Sequence, residues 1–157
     1  MQVAVSYGLV RRGLPQPLAF GRWIDRTAEA LDVEGAVSIR VSDAREGATL
    51  NERYRRRSGP TNVLSFPACL PGERERFWGD IVLCAPVIAA EAKSAGRPLR
   101  DHFAHLTVHG FLHLLGYDHE HPVERSRMEA LEIRLLGQFR IPDPYANPPA
   151  RTSRRSR

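Results

Sequence analysis

The chain has 157 residues, 42% apolar and 26% charged, the composition of one soluble globular domain, and no apolar run is long enough to span a bilayer. Its formal charge of +5 does not describe a basic body: four arginines lie in the last seven residues, RTSRRSR, and without them nineteen basic residues face eighteen acidic ones. Two cysteines, Cys69 and Cys84, make no C-x-x-C pair, which excludes a disulfide framework and points to reduced packing thiols in a cytoplasmic protein.

Residues 2–9, QVAVSYGL, alternate and predict a strand rather than the basic-then-apolar start of a secretion signal. Leu18, Phe20, Trp23, Ile24, Ala28 and Leu31 recur at helical spacing. A second alternating run, 36–43, places Val37, Ile39 and Val41 on one face. Asp43 and Glu46 form a capping-box pair that opens a helix through Leu50 and Tyr54. The charged RRRSGP loop, 55–60, ends that helix, and TNVLSFP, 61–67, reads as a strand closed by Pro67. Residues 68–78 are loop-like, with a turn at Pro71-Gly72, before the short apolar strand 79–85. Helices follow at 86–96, at about 100–115 and from Pro122 to Leu136, with Gly137 as the last stop. The order β-α-β-α-β-β-α-α-α predicts an α+β fold with a small four-stranded sheet and about five helices. Residues 1–141 form a single domain in this reading, and the proline- and arginine-rich 142–157 a disordered basic tail.

The strongest chemical signal is HGFLHLLGYDH, from His109 to His119. His109 and His113 lie four apart, so on the central helix they share a face about one turn apart. Gly116 can end that helix in a left-handed conformation and let the chain bring His119 back to the same ion. Three protein ligands leave a coordination position vacant, the arrangement of catalytic rather than structural zinc. One Zn2+ is the expected cofactor, although imidazole donors also suit nickel, copper and iron. The spacing matches the H-E-x-x-H-x-x-G-x-x-H pattern of one group of metallopeptidases, except that Gly110 stands where the general-base Glu would be. A carboxylate there would repel an anionic substrate, so its loss suits a phosphodiester better than a peptide; Asp118 remains an alternative base. His105, one turn before His109, is a candidate to orient a ligand, whereas His102 and His121 read as ordinary packed or surface side chains. The cluster Arg53, Arg55, Arg56 and Arg57 offers cations for charge developing on phosphoryl oxygens.

LNERYRRRSGPTNVLSFP (50–67), GDIVLCAPVIAAEA (79–92) and HFAHLTVHGFLHLLGYDHEHPVERSRMEALE (102–132) together resemble the YbeY family of bacterial endoribonucleases. The resemblance implies a small mixed sheet flanked by helices and a metal-dependent activity on single-stranded RNA. It implies a role in maturation of the 16S rRNA 3′ end and in ribosome quality control. The implied partners are ribosomal RNA and the small ribosomal subunit, with ribosomal proteins or a ribosome-associated GTPase, and no membrane. It makes His109, His113 and His119 the zinc ligands, with His113 also counted as catalytic, and Arg55 the functional arginine. Arg57, Thr61, Asn62 and Ser65 become substrate contacts along the cleft. The family commonly reads YRGKDxPTNVLSFP where this chain has YRRRSGPTNVLSFP, so Arg56 replaces a glycine and Arg57-Ser58 a Lys-Asp pair. The attacking group, water or a ribose hydroxyl, is not specified. Two other readings are a metallopeptidase with the same ligand spacing and a ribosome-assembly RNA-binding factor whose metal is structural. The tail would add salt-dependent phosphate affinity.

Overall fold

The computed structural model describes residues 1–68 and 76–146. Its elements are β1 (Gln2–Tyr7), α1 (Pro17–Ala30), β2 (Ala36–Ser42), α2 (Ala44–Arg55), β3 (Val63–Pro67), β4 (Phe77–Cys84), α3 (Ala85–Ala95), α4 (Leu99–Leu114) and α5 (Pro122–Gly137). The four strands form one mixed sheet in the order β1-β2-β4-β3, with β3 antiparallel to β4 and the other pairs parallel. The expected α+β class, four strands and five helices are therefore what the described residues adopt.

Register explains the burial pattern. Val5, Ile39, Ile81 and Ser65 are successive cross-strand partners, so they share the face beneath α4. Val37, Ile39, Val41, Ile81 and Leu83 join Phe20, Ile24, Phe103, Phe111 and Leu112 in the core between that face and helices α1 and α4. The edge strand β3 brings Val63 and Ser65 directly under α4. Ser65 Oγ donates to the Gly110 carbonyl at 3.0 Å.

Several boundaries differ from the sequence reading for identifiable reasons. β4 starts at Phe77, two residues early, because Phe77 pairs with Ala36 across a register shift. Half of the capping box forms: Asp43 accepts from the Glu46 amide at 2.8 Å, but the Glu46 carboxylate turns to Arg40 in a two-point ion pair instead of reaching back. α5 runs through Gly137, and the left-handed residue that follows it is Arg140, at φ 59°. Residues 142–146 fold back onto the domain: Arg97 donates to the Pro144 carbonyl and the Tyr145 hydroxyl donates to Glu132. Cys84 is a buried free thiol. The expected Pro71-Gly72 turn, Cys69 and residues 147–157 of the basic tail lie outside the described residues.

The corner after α2 matters for what comes next. Arg56 caps the helix at φ 53°, ψ 34°, the left-handed region. Its φ/ψ explains why a glycine suits this position, since a Cβ there is strained. Replacement Arg56→Gly is expected to stabilise the domain by about 1 kcal/mol, a rise in Tm of roughly 2–4 °C in thermal unfolding. A lower Tm would show that the Arg56 side chain contributes more than its backbone costs.

Candidate metal centre

α4 delivers the first two imidazoles because its apolar side is held against the sheet by Phe103, Phe111 and Leu112, all buried. His109 and His113 then emerge one turn apart at the C-terminal end. The helix stops by a Schellman arrangement: the Tyr117 amide donates to the Leu112 carbonyl at 3.0 Å and the Gly116 amide to that of His113 at 3.0 Å. Gly116, at φ 99°, takes the left-handed position this requires. Asp118 then accepts from the amides of His119, at 2.6 Å, and Glu120, at 3.1 Å, which curls the loop back. From α5, Arg125 Nε donates to the His119 carbonyl at 3.1 Å and fixes that loop from the far side.

The three rings converge. Centroid separations are 4.6 Å for His109–His113, 4.8 Å for His113–His119 and 5.6 Å for His109–His119. One nitrogen from each lies within 4.8 Å of the others, and the His109 and His113 Nε2 atoms are 3.1 Å apart. Burial, and then the neighbouring His109 and His119, push His113 down to about 4, so at neutral pH this ring offers a lone pair. Behind His109, its Nδ1–H donates to Glu132 Oε1 at 2.5 Å, which leaves Nε2 as the acceptor facing the other two rings. A single cation fits this donor set: three ring nitrogens, one oriented from behind, could hold it. Among the described residues no fourth His, Cys, Asp or Glu joins the three.

Glu132 was not singled out by sequence. It is fully buried on α5 among Met128, Leu135 and Leu136. Burial alone would raise its carboxyl, but hydrogen bonds from His105 and His109, the charge of His109 and the Tyr145 hydroxyl together hold it at about 2. The available signal was a carboxylate on the core-facing stripe of the helix that follows the three-histidine segment. His105 does not touch a candidate ligand's nitrogen; it shares Glu132, with Nε2 3.0 Å from Oε2. His102, read as ordinary, has Nε2 3.0 Å from Glu91.

The imidazoles stand in a cleft of about 580 Å³ whose walls include Arg55, Arg57, Asn62, Val63, Ser65, Asp118, Glu120 and Arg125. Arg55 and Arg57 both line it while Arg56, at the left-handed corner, does not. Of the predicted substrate contacts, Asn62 and Ser65 reach the cleft wall and Thr61 is not among its lining residues. Both groups of the Asn62 amide are engaged: Nδ2 donates to Glu91 at 3.1 Å and Oδ1 accepts from the Val63 amide at 2.6 Å. Asp118 feels some desolvation, but the two amides it accepts and the charges of His119 and His113 hold its carboxyl below the usual range. Its two amide contacts make it the anchor of this turn.

Gly110, the residue in place of the metallopeptidase glutamate, faces the sheet. A Cβ there would lie 3.0 Å from Ile81 Cγ2, 3.2 Å from Ser65 Oγ and 3.2 Å from Val63 Cγ2. Even an alanine would need these neighbours to yield by a few tenths of an ångström, and a longer side chain would press α4 away from β3.

Comparison with known proteins gives concordant matches. A family model described as Endoribonuclease YbeY matches residues 18–140. Proteins named Endoribonuclease YbeY from Stenotrophomonas maltophilia (strain K279a) and Xanthomonas axonopodis pv. citri (strain 306) are each 48% identical over 151 residues, covering 93% of this chain and 94% of the relative. The solution structure of TM1509 from Thermotoga maritima superposes with a TM-score of 0.60 over 96% of this chain and 100% of its own, at 21% identity, and so shares the fold.

Proposed function

The chain belongs to the YbeY family of endoribonucleases, and from that premise we propose that it is a zinc-dependent endoribonuclease of single-stranded RNA. We place its action in 16S rRNA 3′-end maturation and ribosome quality control. Its partners in this reading are ribosomal RNA and the small ribosomal subunit, with ribosomal proteins or a ribosome-associated GTPase, in the cytoplasm. Among the described residues no helix is long and apolar enough to cross a membrane.

The observation that carries the proposal is three imidazoles converging in a cleft that also holds Arg55 and Arg57. His109, His113 and His119 would hold the cation. When bound, it would act as a Lewis acid on a phosphoryl oxygen and lower the pKa of a coordinated water toward ~7. Arg55 and Arg57, in the same cleft, would supply positive charge for the phosphodiester's negative charge as it grows on bond breaking. Glu132 holds His109 in the tautomer a metal needs. Asp118 and Arg125 hold the loop that presents His119. The packed surroundings of Gly110 disfavour the peptidase reading, because a glutamate there would crowd Ile81, Ser65 and Val63.

Arg55→Ala separates chemistry from metal binding. The variant is expected to keep its metal and lose cleavage by roughly 10²–10³-fold, the range for losing one donor that stabilises transition-state charge. Metal content alongside cleavage of a defined single-stranded RNA checks it, and loss of metal would contradict the assigned role. The same assay identifies the attacking oxygen, since a 2′,3′-cyclic phosphate end means attack by the ribose hydroxyl.

A further inference from the structure

Taking His109 as a metal ligand, as above, we propose that Tyr145 is a positioning residue of the metal centre: its hydroxyl holds Glu132, and through Glu132 it fixes His109.

The Glu132 side chain is fully buried, and a buried carboxylate is tolerated only when its oxygens are satisfied. Oε1 receives the His109 Nδ1–H. Oε2 receives His105 Nε2–H and the Tyr145 hydroxyl. Among the described residues His105 Nδ1 is buried without a hydrogen-bond partner, and the ring's polar contacts are made by Nε2. The same ring packs edge-on against Tyr145, with centroids 5.4 Å apart and planes at 85°. Tyr145 thus supports the carboxylate directly and also supports the carboxylate's other donor.

The segment carrying Tyr145 is arranged to deliver that hydroxyl. Asp143 accepts from the Tyr145 amide at 2.8 Å, and Arg97, just after α3, donates to the Pro144 carbonyl. Tyr145 as a whole is 43% exposed while its hydroxyl points inward, so burying the ring is not what the residue achieves. Without the hydroxyl, Glu132 keeps one donor fewer, its carboxylate can rotate, and His109 loses the acceptor that keeps its proton on Nδ1. An imidazole protonated on Nε2 turns a hydrogen, not a lone pair, toward the cation.

The test is titration of metal-free protein with zinc ions against a competing chromophoric chelator. Tyr145→Phe keeps the ring and removes only the hydroxyl. It is expected to bind zinc about tenfold more weakly, the lower end of the range for losing a hydrogen-bond partner of a metal ligand. Metal-free, it should stay folded with a Tm lowered by several degrees, because one of the buried carboxylate's donors is gone. RNA cleavage should drop at limiting zinc and recover at excess zinc. In a Glu132→Gln background, Tyr145→Phe should add no further loss, because the hydroxyl acts through that carboxylate. Zinc affinity unchanged in Tyr145→Phe but weakened in Tyr145→Ala would assign the effect to ring packing and overturn the proposal. Additive losses with Glu132→Gln would overturn it as well. Wild-type protein that binds no zinc would overturn the metal reading itself, a result distinct from wild-type binding with a silent Tyr145→Phe.

Discussion

Substitution His113→Ala is expected to abolish RNA cleavage and leave a folded domain. His113 sits at the last turn of α4, between His109 and His119, with its centroid 4.6 and 4.8 Å from theirs. Removing it leaves two imidazoles, too few to retain a cation against water at ordinary concentrations. The loss in metal affinity should exceed the ~10–100-fold that follows from deleting a hydrogen-bond partner of a ligand. Cleavage should fall at least as far. The fold does not depend on this ring: α4 is anchored by Phe103, Val108, Phe111 and Leu112, all fully buried, and alanine is a better helix former than histidine. Metal-free variant and metal-free wild type should therefore unfold within about 1 kcal/mol of each other. The check is metal content, circular dichroism and cleavage of one RNA on the same preparation. A folded, metal-free variant that still supports rRNA maturation in cells would instead favour the assembly-factor reading.

The second large effect is expected from restoring the metallopeptidase residue. Gly110→Glu should destabilise the domain by more than about 3 kcal/mol, or prevent folding. A glycine inside a helix costs roughly 0.5–1 kcal/mol relative to alanine, so its presence at the centre of the site needs a reason. The reason is contact distance: Ile81, Val63 and Ser65 lie 3.0–3.2 Å from where the first side-chain carbon would be. Four more heavy atoms, ending in a carboxylate, would overpack a filled interface and bury a charge beside two apolar side chains. They would also push α4 away from the strand to which Ser65 ties it. Gly110→Ala should be far milder, because the helix-propensity gain offsets part of the crowding. Denaturant unfolding of both variants measures the difference. Near-wild-type stability of Gly110→Glu, or peptide hydrolysis by it, would contradict the packing account.

These two positions show what was legible in the residues alone. The i, i+4 histidines, the glycine stop and the third histidine were readable because helix geometry and the left-handed preference of glycine are local rules. The absence of a glutamate at 110 was visible too, but its cause was not, since the crowding comes from β3 and β4, more than 25 residues earlier in the chain. Glu132 and Tyr145 escaped notice for the same reason. Each is unremarkable in its own segment and becomes informative only when α5 and the residues after it are brought against α4. The strands and helices were legible from periodicity, and their ends were not where a tertiary contact decided them, as with Phe77 pairing to Ala36. The capping box failed on one side because Arg40, on the neighbouring strand, offered Glu46 a charged partner. Prolines at 142 and 144 suggested a tail, yet two side chains elsewhere, Arg97 and Glu132, hold that segment down.

The most direct test of the metal centre is stoichiometric reconstitution. Protein purified without a polyhistidine tag or chelating column, stripped of metal, is titrated with zinc while cleavage of a single-stranded RNA is followed. Three histidines sharing one ion predict that activity rises linearly and saturates at one zinc per chain. A stripped protein that cleaves at the full rate, or activity indifferent to occupancy of the three-histidine site, would contradict that centre.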